Sequence, residues 1–465
     1  MDTLVLRAAT VVGTRTGTLT PAVDLVIHNG RIGAVGGDAP AGAVTVDATG
    51  LFVVPGFVDM HAHPLQLGDP AGALELMLAH GITGFRQMAG SAALLRDRSA
   101  LRLPEAAPRL LAMPGDVLTP VNAATPEAAV ATVAAQHAAG ADFVKLAALP
   151  AAALEPVLAE GRRLGIPVAG HLPSGADVVA AARGGMRSIE HLGPGTGMLC
   201  ACSGDAAVRA AQGGGPRLRL PPPRMPFLDQ VMRRITERIV INPLVLARES
   251  SVELYRRAID TFDADQARGL AGRFAAEGTW HCPTLIRQRT THLADHAEFR
   301  ADANLRYVHP RAVKRWRASA DTFGRRPEAQ RSAFAAVYAT HRILTKLFDE
   351  AGVRLLAGSD ACGAIWNIAG AALHQEFDEL SAAGLSPLRV LQTATLNAAE
   401  FLGTTATMGT VEPGRDADLV LLRADPLADS RHLHAIAGVV RAGRYYDAAA
   451  LAAIRDRVAA NRTVR

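Results

Sequence analysis

Two imidazoles, His61 and His63, stand two residues apart in Pro55-Gly-Phe-Val-Asp-Met-His-Ala-His63, directly after the apolar run Leu51-Phe-Val-Val54. Such a run reads as a buried strand entering the segment. On an extended backbone residues i and i+2 project to one side, so both rings can converge on one metal ion while Ala62 points away. Alone, the pair fits two ordinary surface or core histidines equally well. Four more residues raise the metal reading: Lys145 in Ala141-Asp-Phe-Val-Lys-Leu146, His171 after Gly170, His191 in Ile189-Glu-His191, and Asp360 in Gly358-Ser-Asp360. Together they suffice for two divalent ions, on the condition that the neutral amine of Lys145 gains a carboxylate from CO₂. Singly, each has a plainer reading. His171 or His191 would be a packed strand-end histidine, Lys145 a snorkelling lysine or a partner of Asp142, and Asp360 a cap.

The elements that must position these residues alternate along the middle of the chain. Candidate strands are 57–60, 84–88, 109–113, 143–146, 167–169, 187–190, 279–285 and 354–357, with alanine-rich helical stretches such as 126–139, 151–164 and 334–351 between them. Eight strands separated by helices predict an α/β fold, a parallel (β/α)8 TIM-like barrel rather than an open sheet. All six candidate ligands fall at or just beyond C-terminal strand ends, where barrels place their chemistry. Both termini read differently, as short β-like runs with turns, including the hairpin signal Asn29-Gly30. The expected organisation is a small β-sandwich domain from 1–55 plus 407–465, around a barrel at 56–406. The interval from about 193 to 278 is too long for one β/α connection; it holds an insertion around 193–245 whose start, Gly193–Pro226, is expected to form a loop or lid over the barrel mouth.

Composition narrows the class. Of 49 basic residues only Lys145, Lys314 and Lys346 are lysine. Lysine, unlike arginine, can be neutral when buried and then react at nitrogen. The net charge of +5 is spread along the chain, and the Arg217/Arg219/Arg224 and Lys314/Arg315/Arg317 groups carry no nucleic-acid motif. No nucleic-acid partner is expected. No apolar stretch approaches the length of a membrane span, and residues 1–10 lack a basic region followed by an apolar core, so the expectation is a cytoplasmic protein. Four cysteines, Cys200, Cys202, Cys282 and Cys362, do not make a disulfide framework. The Cys200-x-Cys202 pair lacks the partners a zinc site needs.

On these motifs the chain resembles the amidohydrolase superfamily. The resemblance rests on the Pro55–His63 segment, Gly81-Ile-Thr-Gly84, the Lys145 strand, the two later histidine strands and Gly358-Ser-Asp360. It continues through Leu373-His-Gln-Glu-Phe377, Ala383-Gly-Leu-Ser-Pro387, Ala394-Thr-Leu-Asn-Ala398 and Gly409-Thr-Val-Glu-Pro-Gly-Arg-Asp-Ala-Asp-Leu-Val420. The later pieces are similar to the branch of imidazolonepropionase-like enzymes, metal-dependent prolidases, ochratoxin amidases, and phenylurea and thiocarbamate hydrolases. The resemblance implies two divalent ions, zinc first, with cobalt, manganese or iron as alternatives. It puts His61, His63 and Asp360 on one ion and His171 and His191 on the other, with a carboxylated Lys145 between them.

The activity it implies is hydrolysis of an amide-type C–N bond (amide, dipeptide, carbamate or urea) in a small molecule, by attack of a metal-bound hydroxide. Asp360 would move the proton, and His191 would help polarise the carbonyl if the site held a single ion. A homo-oligomer is also expected. Leu146-Ala-Ala-Leu-Pro150 stands where prolidase-like relatives commonly carry a glycine-rich stretch, a departure from the dipeptidase pattern. Ser174 occupies the position of a glutamate common in deaminases. Heterocycle deamination, ester or lactone hydrolysis, and a metal-free binding role are the alternatives. His281, at the mouth of the seventh strand, reads as a substrate contact, a further ligand or a packed histidine.

Overall fold

The computed structural model describes residues 3–37, 40–67, 70–211 and 240–463. The centre of the 193–245 insertion, with Arg217, Arg219 and Arg224, lies outside the described residues. No described helix is long and apolar enough to cross a membrane.

Strands β1 (Leu4–Gly13), β2 (Thr18–His28), β3 (Arg31–Val35), β4 (Val44–Asp47) and β5 (Phe52–Pro55) open the chain. Seven strands follow in the middle: β6 (Phe57–Ala62), β7 (Ile82–Gln87), β8 (Arg109–Ala112), β9 (Val144–Leu146), β10 (Val168–Gly170), β11 (Met186–Glu190) and β12 (Trp280–Cys282). The last three are β13 (Leu419–Leu422), β14 (Ile436–Arg441) and β15 (Arg444–Asp447).

β1–β5 and β13–β15 are hydrogen-bonded as one mixed sheet, in the order β15-β14-β13-β5-β1-β2-β3 with β4 also on β1. β1 is long enough to hold two partners in parallel, β4 along Leu4–Arg7 and β5 at Thr10–Val11. Period-two alternation gives this sheet two apolar faces. Val53, Leu419, Leu421 and Val440 join Leu6, Leu25 and Ile27 in a core of their own. Val54, Val420, Leu422 and Val439 face the larger core of the middle region.

The middle strands run parallel in two arcs, β6-β7-β8 and β9-β10-β11-β12. Parallel bridges Pro114–Phe143 and Leu118–Leu146 join the arcs on one side. On the other, the extended segment 354–361 takes the eighth position. It pairs with β12 through His281–Leu355 and with β6 through Ala62–Ala361. Hydrogen bonds from Met60 N to Ala357 O (2.9 Å) and Asp360 N to His61 O (2.7 Å) complete the circuit. The eight expected strands are thus all present as ring members, the seventh cut short because a helix already begins at Leu285.

Side-chain caps fix where the outer helices start. Thr125 accepts from Ala128 N ahead of Pro126–Ala138, and Asp263 accepts from Asp265 N and Gln266 N ahead of Ala264–Glu277. Each such cap stabilises by about 1 kcal/mol.

Two glycines let strands approach where side chains would collide. Gly170, at φ +131°, lies so close to β9 that a Cβ would sit 2.3 Å from Leu146 O. A Cβ on Gly358 would lie 2.6 Å from both Cys282 Sγ and His61 Cβ. Gly358→Ala should therefore force the ring apart where it closes, costing about 1–3 kcal/mol as overpacked cores do. Thermal unfolding tests this: the variant should melt several degrees lower, and an unchanged Tm would show that the closure tolerates the methyl.

Candidate metal centre

All six residues singled out as ligands come together at one end of the ring. Ring centroids of His61 and His63 are 5.3 Å apart, of His61 and His191 4.6 Å, and of His171 and His191 5.0 Å. Asp360 Oδ1 lies 3.0 Å from His63 Nε2 and 3.2 Å from His61 Nε2. Lys145 is 3% exposed, and its Nζ has no hydrogen-bond partner.

Local backbone makes this convergence possible. β6 loses regular pairing with β7 between Asp59 and Ala62, and His61 N turns to donate to Asp59 Oδ1 at 3.1 Å. The same carboxylate accepts from Ser359 N (3.0 Å) and Ser359 Oγ, which ties β6 to the eighth segment next to Asp360. Burial pushes the Asp59 carboxyl up to about 6 against these hydrogen bonds. Beyond the strand ends His191, Thr284 and Asp360 adopt φ of +58°, +46° and +53°. Left-handed backbone at non-glycine residues costs on the order of 1–3 kcal/mol each and clusters at functional sites. At His191 it turns the imidazole to the mouth although the preceding Glu190 already points inward.

The hydrogen bonds of three rings leave the same nitrogen open on each. His61 Nδ1 lies 2.7 Å from Glu190 Oε2, an acceptor, and so carries the proton. His171 Nδ1 donates to Ala147 O at 3.1 Å. Thr284 Oγ1 donates to Pro283 O at 2.8 Å and therefore accepts from His191 Nδ1. In all three the Nε2 lone pair is left for a cation, the arrangement by which outer partners orient metal-binding histidines. Burial holds His63 below its ordinary value. His171 and His191 lie well below theirs, by burial first and then by nearby cations, Lys145 at His171 and Arg287 at both. These rings are neutral at pH 7 and fit to be ligands.

The donor set fits a divalent-metal centre. His61 Nε2, His63 Nε2 and Asp360 Oδ1 lie close enough together to ligate one cation. Lys145 Nζ is a buried polar atom without a partner, the place where a bridging carboxylate would relieve a desolvation cost. Burial lowers the Lys145 ammonium to about 8, against the pull of Glu190 and Asp360, so neutral amine is accessible near neutral pH.

His281 stands apart from this group. Alternation on β12 turns Trp280 and Cys282 inward and His281 outward, where its ring packs against Phe274 (4.6 Å) and Phe348 (4.8 Å) of the outer helices. Neither ring nitrogen has a partner, and burial lowers its pKa to about 3. It is the packed strand-end histidine, and its outward direction removes it from the substrate-contact reading. Cys200 and Cys202 are buried free thiols.

Several residues at the centre escaped the sequence reading. Glu190 is fully buried, takes His61 Nδ1 on one oxygen, and takes Arg86 Nη2 (2.8 Å) and Ser188 Oγ (2.6 Å) on the other. Burial alone would raise its pKa, but Arg86 and His61 hold it well below the usual range. A charged residue directly before a ligand histidine, and Arg86 within a buried strand, were the available signals. Cys282 lies beside His61 and Glu190, where burial and then Glu190 keep its thiol protonated. Arg287, two residues into the helix Leu285–His292, forms an ion pair through Nε with Asp360 Oδ2. In a chain so rich in arginine nothing in the sequence marks it.

The chain is similar to known proteins over part of its sequence and over its fold. Residues 333–446 match the model of the Amidohydrolase family. An adenine deaminase of Paracoccus denitrificans is 36% identical over 86 residues, 17% of this chain and 14% of that protein. A dihydroorotase of Geobacter sulfurreducens is 41% identical over 69 residues, 14% of this chain and 15% of that protein. The chain thus matches only about a seventh of the length of these curated relatives. Solved structures align nearly end to end. A bottromycin amidohydrolase has a TM-score of 0.70 at 25% identity, covering 99% of this chain and 90% of its own. A putative prolidase from Bifidobacterium longum has 0.61 at 21%, covering 98% and 99%. An ochratoxinase from A. niger has 0.59 at 14%, covering 96% of each chain. The latter two speak to the fold alone. The chain is thus similar to the Amidohydrolase family over residues 333–446, and over nearly its whole length it shares the fold of a bottromycin amidohydrolase.

Proposed function

We propose that the chain is a metal-dependent hydrolase that cleaves an amide-type C–N bond of a small molecule. The observation that carries the reading is the meeting of His61 Nε2 and His63 Nε2 at Asp360 Oδ1, beside a buried and unpartnered Lys145 amine. His61, His63 and Asp360 would hold one divalent ion, His171 and His191 a second, and carboxylated Lys145 would bridge them. Zinc is the first candidate, with cobalt, manganese or iron next. When bound, such ions supply Lewis acidity toward a carbonyl and acidify a water.

The chain's own groups do the rest. Asp360 takes a proton at Oδ1 and returns it to the departing nitrogen. His191, fixed by Thr284 at Nδ1, presents Nε2 to the second ion. Glu190, anchored by Arg86, keeps His61 in the tautomer that presents Nε2. Ester and lactone hydrolysis would use the same groups. Deamination is the second reading, favoured by the short match to an adenine deaminase. Release of ammonia from adenine, without cleavage of amides, would select it.

Three measurements bear on the proposal. Lys145→Met and Lys145→Arg should bind less metal by elemental analysis and lose nearly all hydrolysis; full activity in Lys145→Arg would remove the bridging carboxylate. Glu190→Gln should lower metal affinity or activity about 10- to 100-fold, as for other partners of ligand histidines. Competition with a chelator reads that affinity directly, and an unchanged value would reduce Glu190 to a barrel-interior charge. Dialysis against a chelator should abolish turnover, with recovery on addition of zinc and bicarbonate. Turnover that survives complete metal removal would contradict the proposal outright.

A further inference from the structure

The helix Leu285–His292 begins at the mouth of the ring without a side-chain cap from its own N-cap residue. Thr284 stands at that position, where a threonine hydroxyl ordinarily accepts from the second or third backbone N–H of the helix. Here Thr284 is left-handed, at φ +46° and ψ +52°, and its side chain makes no cap hydrogen bond. Its Oγ1 donates to Pro283 O at 2.8 Å and takes His191 Nδ1 instead.

The N–H that Thr284 gives up finds another acceptor. Ile286 N, the second of the helix, donates to Oε2 of Glu376 at 2.8 Å. Glu376 belongs to a different helix, Ala371–Ala382, and is fully buried. No described residue pairs with its Oε1. Burial pushes its carboxyl well above the ordinary range, against the backbone amides of Ile286 and Leu285. At neutral pH it is therefore an uncharged acid with one oxygen on the helix. Behind this cap Gln288 N donates to Thr284 O at 3.1 Å, and Gln288 Nε2 donates to His191 O at 2.9 Å. Arg287, between Ile286 and Gln288, is paired with Asp360. One short helix thus carries contacts to a proposed ligand of each ion.

We propose that Glu376 is a positioning residue of the metal centre: it caps the helix Leu285–His292 from outside and so releases the Thr284 hydroxyl to orient His191. This rests on the metal-dependent reading above and adds a residue outside the six proposed ligands. Its physical basis is a competition for one hydroxyl. With the Glu376 carboxyl removed, Ile286 N becomes a buried donor without a partner, a loss that draws Thr284 Oγ1 back onto its own helix. His191 Nδ1 then loses its acceptor, and the ring loses the tautomer that presents Nε2.

The test is a double-mutant cycle on zinc affinity, read on the purified full chain by competition with a chelator. Glu376→Leu and Thr284→Val should each weaken zinc binding about 10- to 100-fold, as loss of other partners of ligand histidines does. Combined, they should weaken it no more than either alone, because both remove the same hydrogen bond. Glu376→Gln keeps an oxygen for Ile286 N and should bind zinc as the wild type does. A lower Tm with unchanged zinc affinity in Glu376→Leu, or losses that add in the double variant, would make Glu376 a residue of the fold alone and overturn the proposal. Should Glu376→Leu not fold, Glu376→Asp, one methylene short of Ile286 N, takes its place in the cycle. Nuclear magnetic resonance with isotopically labelled histidine reads His191 on metal-free protein. The wild type should show a hydrogen-bonded Nδ1 proton, and Glu376→Leu should lose it. Wild-type protein that takes up no zinc would remove the metal reading itself. The His191 signal then decides alone: its loss in Glu376→Leu supports the role of Glu376, and its persistence there, or its absence from the wild type, removes it.

Discussion

The carboxylate of Asp360 lies against two imidazoles of the first ring strand, 3.0 Å from His63 and 3.2 Å from His61, and the rest of the structure is arranged around that contact. The eighth ring member is an extended segment with few strand contacts of its own, so its docking on β6 must be secured by other means. Asp59 does this by accepting from both His61 N and Ser359 N. Gly358 allows it by leaving no side chain between Cys282 and His61. The interaction that closes the barrel is thereby the one that assembles the centre, and stability and chemistry share the same few atoms.

Electrostatics at this ring end follow from burial. Four imidazoles, three of them held neutral by burial, a desolvated amine and an ionised carboxylate are packed at the mouth. Their outer partners (Glu190 with Arg86, Thr284, the carbonyl of Ala147) commit the Nδ1 protons of three rings and turn lone pairs inward. Such an array is poor as a plain core, because unsatisfied buried polar atoms are costly. It becomes favourable once cations share the space. Among the described residues Arg287 supplies the one guanidinium contact to Asp360, and it sits on the helix that also steadies His191.

Much of this was legible in the sequence, for identifiable reasons. The ring strands announce themselves as short apolar runs between helices. The six candidate ligands stand at strand ends, where barrel geometry aims side chains at a common mouth. What escaped was whatever depends on departures from regular backbone. Glu190 and His191 are adjacent and should point to opposite sides, yet the left-handed conformation of His191 brings both to the centre. His281 looked poised for substrate because it ends a strand, but the alternation of Trp280 and Cys282 turns it outward onto Phe274 and Phe348. Arg287 lies on a helix that begins sooner than a strand through 285 would allow.

The central claim is that Lys145, carboxylated, joins two metal ions between the two histidine pairs. A crystal structure of the protein grown with zinc and bicarbonate, with anomalous data at the zinc edge, tests it most directly. Two anomalous peaks are expected, one at His61, His63 and Asp360 and one at His171 and His191, with density for a carboxylate on Lys145 Nζ between them. A bare amine with no peak beside His171 and His191 would contradict the account.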